Sequence, residues 1–205
     1  MKAGDVLRMF TPGGGGWGRA PGPIDGLTIL GELDGATVRI VDYDPTWPTR
    51  FEMERDRIVS AIGAVARRIE HIGSTSVPDL AAKPVVDIMV TVDDPDDDAA
   101  FVLALTRAGY VLRVIEPEHR MFRTPARDVH VHLWQAGSDE ERRHLLFRDW
   151  LRRSGDDRTI YETVKRGLAA RQWNDSNDYA NAKSEVVEEI LRRAETWASH
   201  TRWSS

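Results

Sequence analysis

The stretch Pro84-Val-Val-Asp-Ile-Met-Val-Thr-Val92 constrains the fold more than any other part of the chain. Its β-branched residues favour a strand. Alternation places Val85, Asp87 and Met89 on one face and Val86, Ile88, Val90 and Val92 on the other, so the uniformly apolar face is expected to meet the core. A carboxylate inside an apolar strand is costly to bury alone. Asp87 is therefore expected to sit on an open face, to pair with a cation or to bind a metal.

Strand and helix signals alternate around that segment. Pro45 and Pro48 suit a first helical turn, and Trp47, Phe51, Ile58 and Ile62 recur at helical spacing through about residue 66. Further strands are expected at Arg68 to Ile72, Tyr110 to Ile115, Arg120 to Thr124 and Val129 to Trp134, with a helix from Asp97 to Ala108 closed by Gly109. The last third offers only helices. One follows the capping box Ser138-x-x-Glu141, and two more fit Asp157 to Gln172 and Ser176 to about Ser199. The pattern predicts an α/β (α+β) core over 37–135 with a helical C-terminal part over 136–205. No Pro- or Gly-rich linker divides them, so 37–205 reads as one domain.

Ten of the 16 glycines fall within residues 1–35, among few large apolar residues, and predict a flexible extension over 1–36. Leu27 to Ile40 can add a short strand or hairpin around Asp34-Gly35. With no cysteine, disulfides, thiolate metal sites and cysteine nucleophiles are excluded. No stretch approaches the roughly 20 apolar residues that span a bilayer, and no signal peptide is visible, so a cytoplasmic protein without membrane contact is expected. The net charge of −5 is matched by five aspartates around Pro95, read as a solvated loop and helix start, and no basic stripe for duplex nucleic acid is present.

Gly73-Ser74, within His71-Ile-Gly-Ser-Thr-Ser-Val-Pro, can present backbone N–H groups and a hydroxyl to phosphate oxygens, and Asp87 can then hold Mg²⁺. The alternative is a Ser/Thr turn with Asp87 paired to an arginine. In Val129-His-Val-His-Leu-Trp, alternation puts His130, His132 and Trp134 on one face. If that strand neighbours Asp87, the two imidazoles and the carboxylate can converge on a transition metal such as Zn or Mn, or one His can act as a base. The competing reading has both histidines hydrogen-bonded within the sheet. Lys83, Arg120, Arg123, Arg148 and Lys165 are the cations nominated for phosphate or carboxylate contacts. Arg148 also reads as a structural partner of Asp149, and Lys165 and Lys183 as solvated helix positions.

From Val41 to Ala194 the chain resembles the GrpB family of the nucleotidyltransferase-like superfamily. The resemblance is carried by the His71 block, Ala82-Lys-Pro-Val-Val-Asp-Ile, Val129-His-Val-His-Leu, Phe147-Arg-Asp-Trp-Leu-Arg, and the pairs Tyr161 with Lys165 and Tyr179 with Lys183. It implies a small mixed sheet flanked by helices, with a Gly-Ser turn and an acidic strand at a nucleotide site. On that reading Gly73, Ser74, Thr75, Ser76, Lys83, Arg123, Arg148 and Lys165 contact a nucleoside triphosphate, while Asp87, His130 and His132 hold the ion and carry the transfer to an unidentified acceptor. Met89 stands where superfamily enzymes usually place a second carboxylate, and a thioether cannot replace it for Mg²⁺. Asp79 stands where relatives commonly have glycine. A non-catalytic ligand-binding module of the same fold and a metal-dependent hydrolase built on Asp87, His130 and His132 are the rival expectations.

Overall fold

The computed structural model describes residues 26–30, 38–173 and 176–204. The expected extension over 1–36 lies outside the described residues apart from 26–30, as does the turn at Asp34-Gly35. Within 26–30, Thr28–Ile29 forms a short strand, β1.

Helix α1 (Trp47–Ile62) carries Pro48 in its first turn, where a missing N–H costs nothing, and buries Trp47, Phe51, Ile58 and Ile62. It ends short of residue 66 because the chain turns at Gly63 back into β2 (Arg68–Ile72). Then follow β3 (Val86–Val92), α2 (Asp98–Arg107), β4 (Val111–Glu116), β5 (His119–Arg123) and β6 (Val129–Gln135). The six strands form one mixed sheet in the order β1-β4-β5-β6-β3-β2. Only β3 and β6 run parallel; each of the other neighbouring pairs is antiparallel. The sequence-expected mixed α/β architecture is the one observed.

Alternation along β3 and β6 divides the molecule into two layers. Val86, Ile88, Val90 and Val92, with Val131 and Leu133, pack against α1 and against Phe101 and Leu105 of α2. The opposite face is covered as well. Met89 and Trp134 pack there on Ile72 and on Leu145 of α3 (Asp139–Arg153). Behind them, Leu146 and Leu151 of α3, Tyr161 of α4 (Gly155–Ala169) and Ile190 and Leu191 of α6 (Ser184–Thr201) form a second apolar cluster with Val77 and Leu80. Asp87 is thus not on an open face: every residue of β3 is buried.

Caps at Ser138 and Ser154 fix where α3 and α4 begin, each side chain accepting a backbone N–H of the first turn. The single helix expected over Ser176 to Ser199 is two, α5 (Ser176–Asn181) and α6. The break is local: Lys183 N–H bonds back to Ala180 O at 3.2 Å, and the new helix starts with Val187 N–H on Lys183 O at 3.1 Å. Part of the aspartate cluster also does more than solvate a loop. Asp96 and Asp98 each bind Arg120 at 2.8 Å, and Asp93 pairs with Arg67. Among the described residues no helix is long and apolar enough to cross a membrane.

Candidate functional site

The connection from β2 to β3 builds one wall of the site. Gly73 has φ +69° and ψ −175°, a backbone region essentially reserved for glycine. A Cβ at that position would stand 2.5 Å from Asp87 Oδ2, so the glycine also makes room for the carboxylate. Ser74–Ser76 then form a single 3-10 turn whose hydroxyls are already engaged. Ser76 Oγ donates to Gly73 O at 2.6 Å. Thr75 Oγ1 donates to Val85 O at 3.2 Å and accepts from His71 Nε2 at 3.0 Å. Ser74 Oγ accepts from Lys165 Nζ at 3.1 Å.

Lys165 also donates to Ala81 O and lies 4.5 Å over the Tyr161 ring, so its amine is engaged in holding the turn. It is not a solvated helix residue. Burial, with Lys183 nearby, pushes its amine well below the usual lysine range.

The parallel register of β3 and β6 sets Asp87 directly beside His130 and Met89 beside His132. Asp87 Oδ1 is 3.3 Å from His130 Nδ1 and 4.0 Å from His132 Nε2, and the three donor atoms lie within 4.8 Å of one another. Neither Asp87 Oδ1 nor His130 Nδ1 makes a hydrogen bond to the protein, although both are buried. Leaving such groups unsatisfied costs about 1–3 kcal/mol each, and more if charged. His132 is 1% exposed, and burial together with His119, His130 and His144 drives its pKa well down, so it is neutral near pH 7.

The centre faces a cleft of about 20 Å³ lined by Ser74, Lys83, Asp87, His130, Tyr179 and Lys183, among others. That volume admits a water or a bare ion. A nucleoside triphosphate, needing several hundred Å³, does not fit the cleft in this conformation. Lys183 stands at the residue preceding α6, and its amine lies 4.7 Å over the Tyr179 ring. Its pKa is lowered to about 8, chiefly by burial, with Asp87 opposing and Lys83 assisting the shift. The Tyr179 hydroxyl is buried without a hydrogen-bond partner.

The sequence-nominated residues thus divide. Gly73, Ser74, Thr75, Lys83, Asp87, His130 and Lys165 meet around this cleft, with His132 directly behind. Arg123 lies beside His130 in the β5–β6 register. Arg148 and Ser76 do not join them. They line a separate cleft of about 470 Å³, where Arg148 pairs with Glu70 and Asp149 at 2.7 Å each. Arg120 serves Asp96 and Asp98. Sequence reasoning passed over Lys183 and Tyr179 as site residues. The signal available was the repeated Tyr-x-x-x-Lys spacing, which within α4 and again across the α5–α6 break lays an amine over a ring.

A profile of the family described as GrpB protein matches residues 37–193. The chain belongs to the GrpB family. A UPF0157 protein of Streptomyces coelicolor is 48% identical over 177 residues, 86% of this chain and 95% of that one. The crystal structure of conserved protein GrpB from Enterococcus faecalis superimposes with a TM-score of 0.68 at 31% identity, covering 78% of this chain and 99% of that one. A protein of Mycolicibacterium paratuberculosis named dephospho-CoA kinase is 32% identical over 82% of this chain but only 48% of its own length. The GrpB match spans every residue of the cleft described above.

Proposed function

We propose that this GrpB chain is a metal-dependent enzyme that hydrolyses a phosphate ester, with Asp87, His130 and His132 holding a single divalent transition ion. One observation carries the reading: Asp87 Oδ1 and His130 Nδ1 are buried acceptor-bearing atoms without hydrogen bonds, facing His132 Nε2 across a space of ionic size. Ligands held 2.0–2.2 Å from a tetrahedral ion stand about 3.4 Å apart. The 3.3 Å pair already fits, and His132 needs only a small closing movement. Two imidazoles and one carboxylate suit zinc or manganese better than magnesium, which prefers oxygen.

An ion at that position would supply Lewis acidity to a phosphoryl oxygen. Lys183, with its pKa about 8, can carry positive charge toward the phosphate or give a proton to the leaving oxygen near neutral pH. Lys83 adds a second cation to the same wall. The mycobacterial relative's name, dephospho-CoA kinase, agrees with a phosphorylated substrate. Nucleotidyl transfer, the activity of the nucleotidyltransferase-like superfamily, is the second reading, supported by Gly73 and Ser74 packed against the acidic strand. In that case the base and sugar lie outside the cleft.

The test is an assay of metal-loaded protein against aryl phosphate esters and, separately, against each nucleoside triphosphate with a panel of hydroxyl acceptors. Phosphate release that disappears in Asp87→Asn supports hydrolysis. A nucleotidylated product favours the second reading, and neither product at any metal loading contradicts both.

A further inference from the structure

We propose that Glu116 and His119 are positioning residues for the Asp87–His130–His132 centre, holding His132 in the tautomer whose Nε2 lone pair faces Asp87. The inference rests on the metal-centre reading above and adds the device that makes His132 able to act as a ligand.

A continuous chain of contacts runs from Glu116 to the centre. Metal binding through His132 Nε2 needs that nitrogen's lone pair, which puts the ring's proton on Nδ1. His119 Nε2 stands 3.1 Å from that Nδ1 and is placed to accept from it. His119 then carries its own proton on Nδ1, against Glu116 Oε1, which accepts it. His132 Nε2 is left facing Asp87 Oδ1 at 4.0 Å. Two acceptors opposed in a buried space repel each other unless a cation stands between them. A hydrogen-bonded partner behind a ligating imidazole fixes its tautomer and orientation in this way at metal sites generally.

The rings are also fixed in orientation. Trp134 lies nearly parallel to both, at 4.5 Å from His119 and 5.0 Å from His132 between ring centroids, with interplanar angles of 7° and 10°. Glu116 and His119 face each other because the β4–β5 hairpin turns through Pro117 and Glu118. Glu118 sits at φ +63°, an unfavourable region for a residue with a Cβ, and Asp96 accepts its N–H at 3.2 Å. Local backbone strain is thus retained in a turn that places these two side chains. His119 itself is 4% exposed, so it is not available to solvent in another role.

The direct test is a long-range proton–nitrogen correlation spectrum of metal-free, nitrogen-15-labelled protein near pH 7.5. His132 is expected with a protonated Nδ1 and an unprotonated Nε2. Zinc affinity, measured by competition with a chelator, should fall about 10–100-fold in His119→Leu. His119→Gln should recover most of it, because the amide carbonyl can still accept from His132 Nδ1, which a purely space-filling role would not predict. A wild-type spectrum with the proton on His132 Nε2 overturns the proposal, and so does unaltered zinc affinity in His119→Leu. Should wild-type protein bind no zinc, the metal-centre reading fails, and the wild-type spectrum alone decides the tautomer. That spectrum also decides the matter if His119→Leu does not fold.

Discussion

Replacing Gly73 by alanine tests the wall of the cleft at its tightest point. Two costs can be read from the geometry. The backbone at φ +69° and ψ −175° is strained for any residue with a Cβ, by about 1–3 kcal/mol. The new methyl would also meet Asp87 Oδ2 at 2.5 Å, Cβ at 3.1 Å and Cγ at 3.2 Å. These atoms belong to a central strand buried on both faces and cannot swing aside cheaply, so overpacking adds about 1–3 kcal/mol. Gly73→Ala should therefore lose about 2–6 kcal/mol in urea unfolding followed by tryptophan fluorescence. Its folded fraction should bind zinc more weakly, because Asp87 is displaced. Gly109→Ala is the control: its φ is +95°, yet nothing lies within 4 Å of the added Cβ, so only the conformational cost of about 1–2 kcal/mol applies. If Gly73→Ala costs no more than the control and leaves zinc affinity unchanged, the close approach of turn and carboxylate is not what shapes the site.

Asp79 occupies a left-handed position at φ +64° on the surface, where a glycine would be unstrained; Asp79→Gly should raise stability by about 0.5–1 kcal/mol in the same unfolding assay. His71 is buried beside Arg148 and Arg152, and burial first, then those charges, lower its pKa from 6.5 to about 3. The unfolded chain therefore binds the extra proton first as pH falls below 6.5, and the sign is destabilising: going from pH 7 to pH 5 should cost about 2 kcal/mol from this group. His71→Gln should flatten that part of the stability profile, leaving the same-signed contribution of His132; an unchanged slope would show that His71 does not stay neutral in the fold.

Much of the fold was legible because period-2 and helical patterns are local. Val86, Ile88, Val90 and Val92 reach the core face as alternation requires, and His130, His132 and Asp87 share the other. That β3 and β6 are neighbours, so that Asp87 meets His130, is a matter of strand order and cannot be seen in either segment alone. The same holds for Lys165 and Lys183. Each looks like an ordinary polar helix position, and each becomes a buried amine only because α4 and the α5–α6 break are brought down on the turn at 73–76. His119 attracted no notice because its partner in hydrogen bonding, His132, belongs to the next strand. Arg148 was drawn into the nominated set by its charge, whereas Glu70, on a distant strand in sequence, claims it.

Titration calorimetry of metal-free protein with zinc, run side by side on wild type and Asp87→Asn, bears most directly on the metal centre. One ion should bind per wild-type chain, with Asp87→Asn weakened by at least about tenfold while its unfolding curve stays cooperative. No heat of binding in wild type, or equal affinity in both proteins, would mean that Asp87, His130 and His132 form a buried polar cluster and not a metal site.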